Sequence, residues 1–259
     1  MIPLDPPQAD IMIDLSADLS ALSGTCLFYP CSGADLQTPM ALFADKVSSL
    51  YFADHGYFRP GHQETRNHGL DISIAEAGAI PAPNGEWSFR CRTFEKASRR
   101  DDDEDFDPHG RYSDVAKLTE TYYHEVVDAD FRVLRSNDDA RRVFDKLPDP
   151  LGVFFYRGDS LGEGGSGILW NDMPLMERVL RKLVNGGLLV TDGSNPGDAK
   201  RQSVGRHRPV LQAREMRSAE QGLDWIGCTF KNTLGRRLTC IGYAGQRYGA
   251  TLIWQVVRI

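Results

Sequence analysis

Residues 25–54, TCLFYPCSGADLQTPMALFADKVSSLYFAD, read as a strand, a glycine-containing turn, a helix and a second strand, with an aspartate where that strand stops. Residues 25–29 are an almost wholly apolar run, the pattern of a parallel strand buried on both faces. Pro30 ends the run, because proline has no N–H to give to a ladder. Residues 31–35, CSGAD, are small enough for a ligand to approach their backbone. Thr38 followed by Pro39 predicts a helix start, with Thr as the N-cap and Pro at the first helical position. Met40, Phe43 and Val47 recur at helical spacing and give that helix an apolar face. Residues 49–53 predict the second strand, and Asp54 stands at its carboxyl end. An acid at that place, about 20 residues beyond a glycine turn, is where nucleotide-binding α/β folds hold a ribose hydroxyl.

This layout resembles the Rossmann-like, S-adenosylmethionine-dependent methyltransferases. FYPCSGAD, residues 28–35, stands where that family has its glycine-rich cofactor loop, and Asp54 where it has its ribose-binding acid. The resemblance implies a three-layer α/β sandwich with a mostly parallel, seven-stranded sheet and a C-terminal antiparallel hairpin. It also implies S-adenosylmethionine as cofactor, with Pro30, Ser32, Gly33, Asp35 and Asp54 as the residues that bind it. The family's loop carries two or three glycines and opens on an acid; this chain has Gly33 alone, and Pro30 in the acid's place. That difference sets up a rival reading: a non-catalytic binding or assembly module of the same fold that has lost its cofactor pocket.

The chain has 259 residues, 41% hydrophobic and 25% charged, which suits one soluble α/β domain over 1–259 with a decorated edge. No stretch approaches the roughly 18 apolar residues of a membrane helix, so no membrane partner is expected. The start, MIPLDPPQADIMIDL, lacks the basic opening of a secretion signal. The five cysteines, an odd number in no CxxC spacing, argue against a disulfide framework or a zinc knuckle. A reducing, cytoplasmic setting is the expectation. The formal charge of −6 gives no support for bulk binding to nucleic acid, so the expected partner is a small-molecule or anionic substrate.

Working outward, residues 10–22 predict a lead-in helix, and residues 55–130 an insertion after the second core strand. Its loop holds His55, His62 and His68, but at no helical i, i+4 spacing and with no cysteine nearby, so a loop is favoured over a metal site. A short helix is expected over 72–79, a strand over 87–94, and a solvated acidic tip over 101–105. Residues 118–127 and 131–134 read as an inserted β-hairpin, with FRVLRS, 131–136, as the third core strand. Asn137 is placed to cap a helix over 138–147, before a fourth strand over 152–157. Asp172 and Pro174 open a helix closed by Asn185-Gly186, and residues 187–191 form the fifth strand. The alternation from 25 to 191 predicts a parallel sheet with right-handed crossovers. Three tail strands follow near 225–232, 238–243 and 251–258.

The loops carry the candidate chemistry. GEGGSG, residues 162–167, matches GxGxxG, yet it follows the fourth strand and is separated from its helix by Trp170, Asn171 and Asp172, so it reads as a glycine-rich lid. In a methyltransferase-like order strands one and four are neighbours, which brings Ser32, Gly33 and Asp35 towards Asp159 and Glu163, the candidate catalytic residues. Either carboxylate would serve as a general base if burial raised its pKa. Asp159, Asp192 and Asn195 are similar to the Asp, Asp, Asn set of the metal-dependent catechol-type methyltransferases. Gly193 and Ser194 separate the last two here, whereas they are adjacent in that family, so Mg²⁺ is not expected. The basic stretch 200–217 lies where the family places substrate contacts. Arg206 and Arg208 are the candidates there, since arginine prefers carboxylate or phosphate partners.

Overall fold

The computed structural model describes residues 11–13, 17–33, 35–54, 79–80, 82, 85–96, 115–157, 168, 170, 174–192, 225–231, 235–246 and 250–259. In chain order the elements are β1 (Ile11–Ile13), β2 (Cys26–Pro30), α1 (Gln37–Phe43), β3 (Ser49–Ala53), β4 (Trp87–Lys96), β5 (Val115–His124), β6 (Ala129–Ser136), α2 (Ala140–Asp145), β7 (Leu151–Tyr156), α3 (Leu175–Lys182), β8 (Leu183–Thr191), β9 (Thr229–Lys231), β10 (Arg236–Gln246) and β11 (Ala250–Arg258). Two compact units result, one from Pro3–Phe28 with Pro148–Ile259 and one from Tyr29–Leu147. β2 therefore gives its first three residues to the first unit and its last two to the second.

In the first unit the strand order is β1-β10-β11-β8-β7-β2, with β9 also on β10. β2 and β7 are parallel neighbours, Leu27 level with Val153 and Phe28 with Phe154, as the expected adjacency of core strands one and four requires. β7 and β8 are parallel too, and β8 is followed by the antiparallel hairpin β10–β11. β7 is buried throughout, and Phe28, Phe154 and Trp170 meet with ring centroids 5.4–6.2 Å apart. The approach of β7 to the segment before β2 depends on Gly152. A Cβ there would lie 1.9 Å from Thr25 Oγ1, whose hydroxyl donates to Leu22 O at 2.6 Å. Burial pushes the thiols of Cys26 and Cys240 up to about 12, which leaves them inert near neutral pH.

In the second unit β2 is followed by β3-β6-β5-β4. β3 and β6 are parallel, so FRVLRS does lie in the third core strand. β5 pairs antiparallel with both β6 and β4. One face carries Trp87, Tyr122 and Phe131, with the Tyr122 and Phe131 rings stacked at 5.5 Å. On that face Glu120, fully buried, accepts from Arg135 at 2.5 Å and from Arg92 at 2.6 Å. Two cations around one buried carboxylate satisfy it, and deleting one member of such a cluster typically costs about 3–5 kcal/mol.

Several expectations are corrected. The sheet is mixed, not mostly parallel and seven-stranded: six of the described pairings are antiparallel and three parallel. The reason is that β4–β5–β6 and β10–β11 are strands consecutive in the sequence that pair antiparallel, β5 and β6 through the turn at 125–128. The lead-in helix over 10–22 is replaced by β1, paired with β10, and a 3-10 turn at Ser20–Leu22. Thr38 is not the N-cap of α1; Leu36 holds that place without a side-chain bond. Asp139, not Asn137, caps α2 by accepting from Arg141 N. Asn185-Gly186 is not a loop between helix and strand. α3 runs straight into β8, and Asn185-Gly186 marks an irregularity within it: Leu183 is level with Leu151, but Leu188 with Val153, and Gly186 has φ 84°. The expectations at 55–78 and 101–105 lie outside the described residues. Among the described residues no helix is long and apolar enough to cross a membrane.

Gly152→Ala is expected to lower the stability of the protein by about 1–3 kcal/mol, the usual cost of overpacking. A urea titration checks this; an unchanged midpoint would show that the β7 contact yields freely.

Candidate functional site

The site is built in the second unit where β2 gives way to the turn before α1. Tyr29 and Pro30 are buried, and the chain then reverses through two residues with positive φ, Cys31 at 55° and Gly33 at 52°. Cys31 N–H donates to Ala53 O at 2.7 Å, which fastens the start of the turn to the end of β3. Asp35 N–H donates to Ser32 O at 3.0 Å and closes the turn. Gly33 N–H donates to Asp54 Oδ2 at 2.9 Å. Asp54 is itself held in register by donating its N–H to Ser136 O at 3.0 Å, the next step of the β3–β6 ladder. Two neighbouring strand ends are thus joined by a charge-assisted bond from a turn amide to a carboxylate, a strong class of hydrogen bond.

Apart from its two chain neighbours, no atom of the described residues lies within 4 Å of the position a Cβ on Gly33 would take. Among the described residues nothing therefore fills the glycine side of the bend, and glycine lets other groups come close to its backbone. Gly33 and Asp54 are both half-exposed.

The other residues expected to bind cofactor sit differently. Ser32 is 2% exposed and Pro30 is buried, so neither side chain faces outward. Asp35 is buried and accepts from Tyr29 Oη at 3.0 Å, so it braces the turn from within. Asp159, Glu163, Asn195, Arg206 and Arg208 lie outside the described residues. Asp192 is buried at the end of β8, and among the described residues no group of three or more His, Cys, Asp or Glu side chains is arranged to hold a metal ion.

The sequence reading passed over two residues. Cys31 takes a left-handed conformation that L-residues adopt at a cost of roughly 1–2 kcal/mol. The only signal for it is its place between Pro30 and Ser32. In the first unit, Arg157 follows β7 and is 6% exposed; it donates to Ala244 O at 3.2 Å, its guanidinium 5.6 Å from the Phe155 ring centre. It stands one position past Tyr156, as Asp192 stands one past Thr191, and Tyr156 and Thr191 are level in the parallel pair. A cation directly after an all-apolar run is the signal that was available.

No family model matches the chain, and no curated protein does. Two solved structures are similar to it at a low level. One is an rRNA methylase from Streptococcus thermophilus, with TM-score 0.33 and 10% identity, covering 93% of this chain and 92% of that one. The other is a variant of the 16S rRNA (adenine(1408)-N(1))-methyltransferase from Catenulisporales acidiphilia, with TM-score 0.33 and 10% identity, covering 96% of this chain and 97% of that one. Likeness at this level decides nothing about the present chain, and the site stands on its own geometry.

Gly33→Ala meets no steric obstacle among the described residues, but it places an L-residue at φ 52°. A loss of about 1 kcal/mol is expected from that backbone conformation, read as a lower urea midpoint at unchanged slope. An unaltered midpoint would mean that the turn relaxes and the Gly33–Asp54 bond does not hold it.

Proposed function

We propose that the chain is a methyltransferase-like protein that binds S-adenosylmethionine, or a closely similar adenosyl ligand, at the turn after β2. The observation that carries the reading is the bond from Gly33 N–H to Asp54 Oδ2, made at a bend whose glycine side no described residue fills. In doubly wound α/β sheets ligands sit beyond the carboxyl ends of the strands, and an acid at the end of the second core strand serves a ribose. The strand arrangement agrees with this placement: β2 lies next to β7 in the first unit, and an antiparallel hairpin follows β8. Gly33 gives close approach to backbone, and Asp54 accepts from the ribose hydroxyls. The bound cofactor would supply an activated methyl group. Asp159 and Glu163, which follow β7 in the sequence and lie outside the described residues, are assigned from the sequence alone to catalysis, where a carboxylate would take a proton from the accepting atom. Arg206 and Arg208 are assigned to an anionic substrate.

A second reading, a binding or assembly module without catalysis, is favoured by one specific observation. Ser32 and Asp35 are turned inward, so much of the turn's polarity serves its own fold.

Calorimetric titration with S-adenosylmethionine, S-adenosylhomocysteine and NADH separates the two. The first two are expected to bind and NADH not to. Asp54→Ala is expected to weaken binding at least tenfold, about 1.4 kcal/mol, while a circular dichroism spectrum confirms that the variant is folded. Absence of binding by both adenosyl compounds would leave the module reading standing.

A further inference from the structure

β4 is the outermost strand of the second unit: among the described residues it pairs with β5 alone. It runs for ten residues, Trp87–Lys96, with no proline among them. Such an edge offers a row of backbone donors and acceptors to any strand that approaches it. A bulge at Arg90, the extra residue between Phe89 and Cys91, leaves residues 91–95 in unbroken register with β5. The apolar face of the unit also runs out to this edge. The Phe89 ring centre is 5.7 Å from that of the fully buried Tyr122, and Phe94 is level with the fully buried Leu118. Yet Phe89 is 41% and Phe94 55% exposed. Arg92 lies on the same face, donating to Glu120 at 2.6 Å with its guanidinium 5.4 Å from the Phe89 ring centre. On the other face the Arg90 guanidinium stands 4.5 Å from the Tyr123 ring centre, and the Glu95 carboxylate is largely exposed, 3.1 Å from Lys117 Nζ.

The order of residues along the strand says what fits this edge. Arg90 and Arg92 precede Thr93; Phe94 and Glu95 follow it. The strand is therefore complementary to its own reverse. Antiparallel pairing with β4 of a second copy, about a two-fold axis at Thr93, sets Thr93 against the partner's Thr93 and Arg92 against the partner's Phe94. Cys91, with the bulged Arg90 beside it, then meets the partner's Glu95. The faces agree, because level residues of an antiparallel pair share a face and Arg92 and Phe94 are on one, Cys91 and Glu95 on the other. The symmetry makes each contact twice: two Arg–Glu pairs, and two guanidiniums beside aromatic rings. Moving the axis one residue, to Arg92, would instead set Arg92 against the partner's Arg92, and like charges directly opposite one another destabilise a strand pair. The charge order thus selects both the occupant and its register.

We propose that the chain forms a two-fold symmetric dimer by antiparallel pairing of β4 with β4 of a second copy, in register about Thr93. The test is sedimentation equilibrium of the full chain over a dilution series. The wild type is expected to pass from monomer to a species of twice the mass as concentration rises. Arg90→Glu and, separately, Glu95→Arg are each expected to weaken the dimer by about tenfold or more, since each sets like charges against one another. The chain carrying both reversals restores the opposite-charge pairs and is expected to regain the wild-type dimer. Val126→Ser, which removes an exposed apolar side chain away from β4, is expected to leave the dimer unchanged. Circular dichroism confirms that each variant is folded. A wild type that stays monomeric at every concentration would overturn the proposal. So would a dimer that tolerates both single reversals, or one that the double reversal fails to restore, because a different surface or register would then hold it.

Discussion

The hydrogen bond from Gly33 N–H to the Asp54 carboxylate is the constraint around which the turn after β2 is arranged. It needs three things at once. β3 must stop with its last carbonyl, on Ala53, free to take Cys31 N–H. The turn must reverse within a few residues, which Cys31 and Gly33 achieve through left-handed backbone. The third is the glycine itself, which takes φ 52° without the strain a side chain would bring. Tyr29 and Asp35 stabilise the same bend from its buried side. The turn is thus held on both flanks.

Charge is handled in contrasting ways elsewhere. The carboxylate of Glu120 is buried and bound by two arginines, so its desolvation is offset by charge-assisted hydrogen bonds, while Arg135 Nε stays buried without a partner among the described residues. Arg157 is equally buried and is given a backbone carbonyl and an aromatic face. By comparison, Arg236 and Arg258 confront one another across a strand pair.

Much of the framework was legible in the sequence, for a physical reason. β2, β3 and β7 are buried on both faces and so appear as continuous apolar runs, and Asp54 appears as the acid that ends one of them. The 118–136 hairpin and the C-terminal hairpin announced themselves through alternation and turn residues. Features that depend on tertiary partners did not. β1 is three residues long and exists because β10 offers it an edge; its own sequence reads equally well as helix. Asn185-Gly186 has the composition of a turn, yet it forms an irregularity inside β8, since the strand's continuation is set by β7 and β11. At the site, small size marked residues 31–35 as backbone that a ligand would approach, but sequence does not show which way the polar side chains of Ser32 and Asp35 are turned. Both are turned inward.

The central claim is that the open side of the Gly33 bend is where an adenosyl ligand touches the protein. The most direct measurement is the amide proton and nitrogen resonance of Gly33, followed by NMR while S-adenosylhomocysteine is added. The account predicts that the Gly33 resonance shifts progressively and saturably, and that the shift is lost in Asp54→Ala. Saturable binding that leaves Gly33 unmoved while perturbing amides elsewhere, or no perturbation at all, would contradict it.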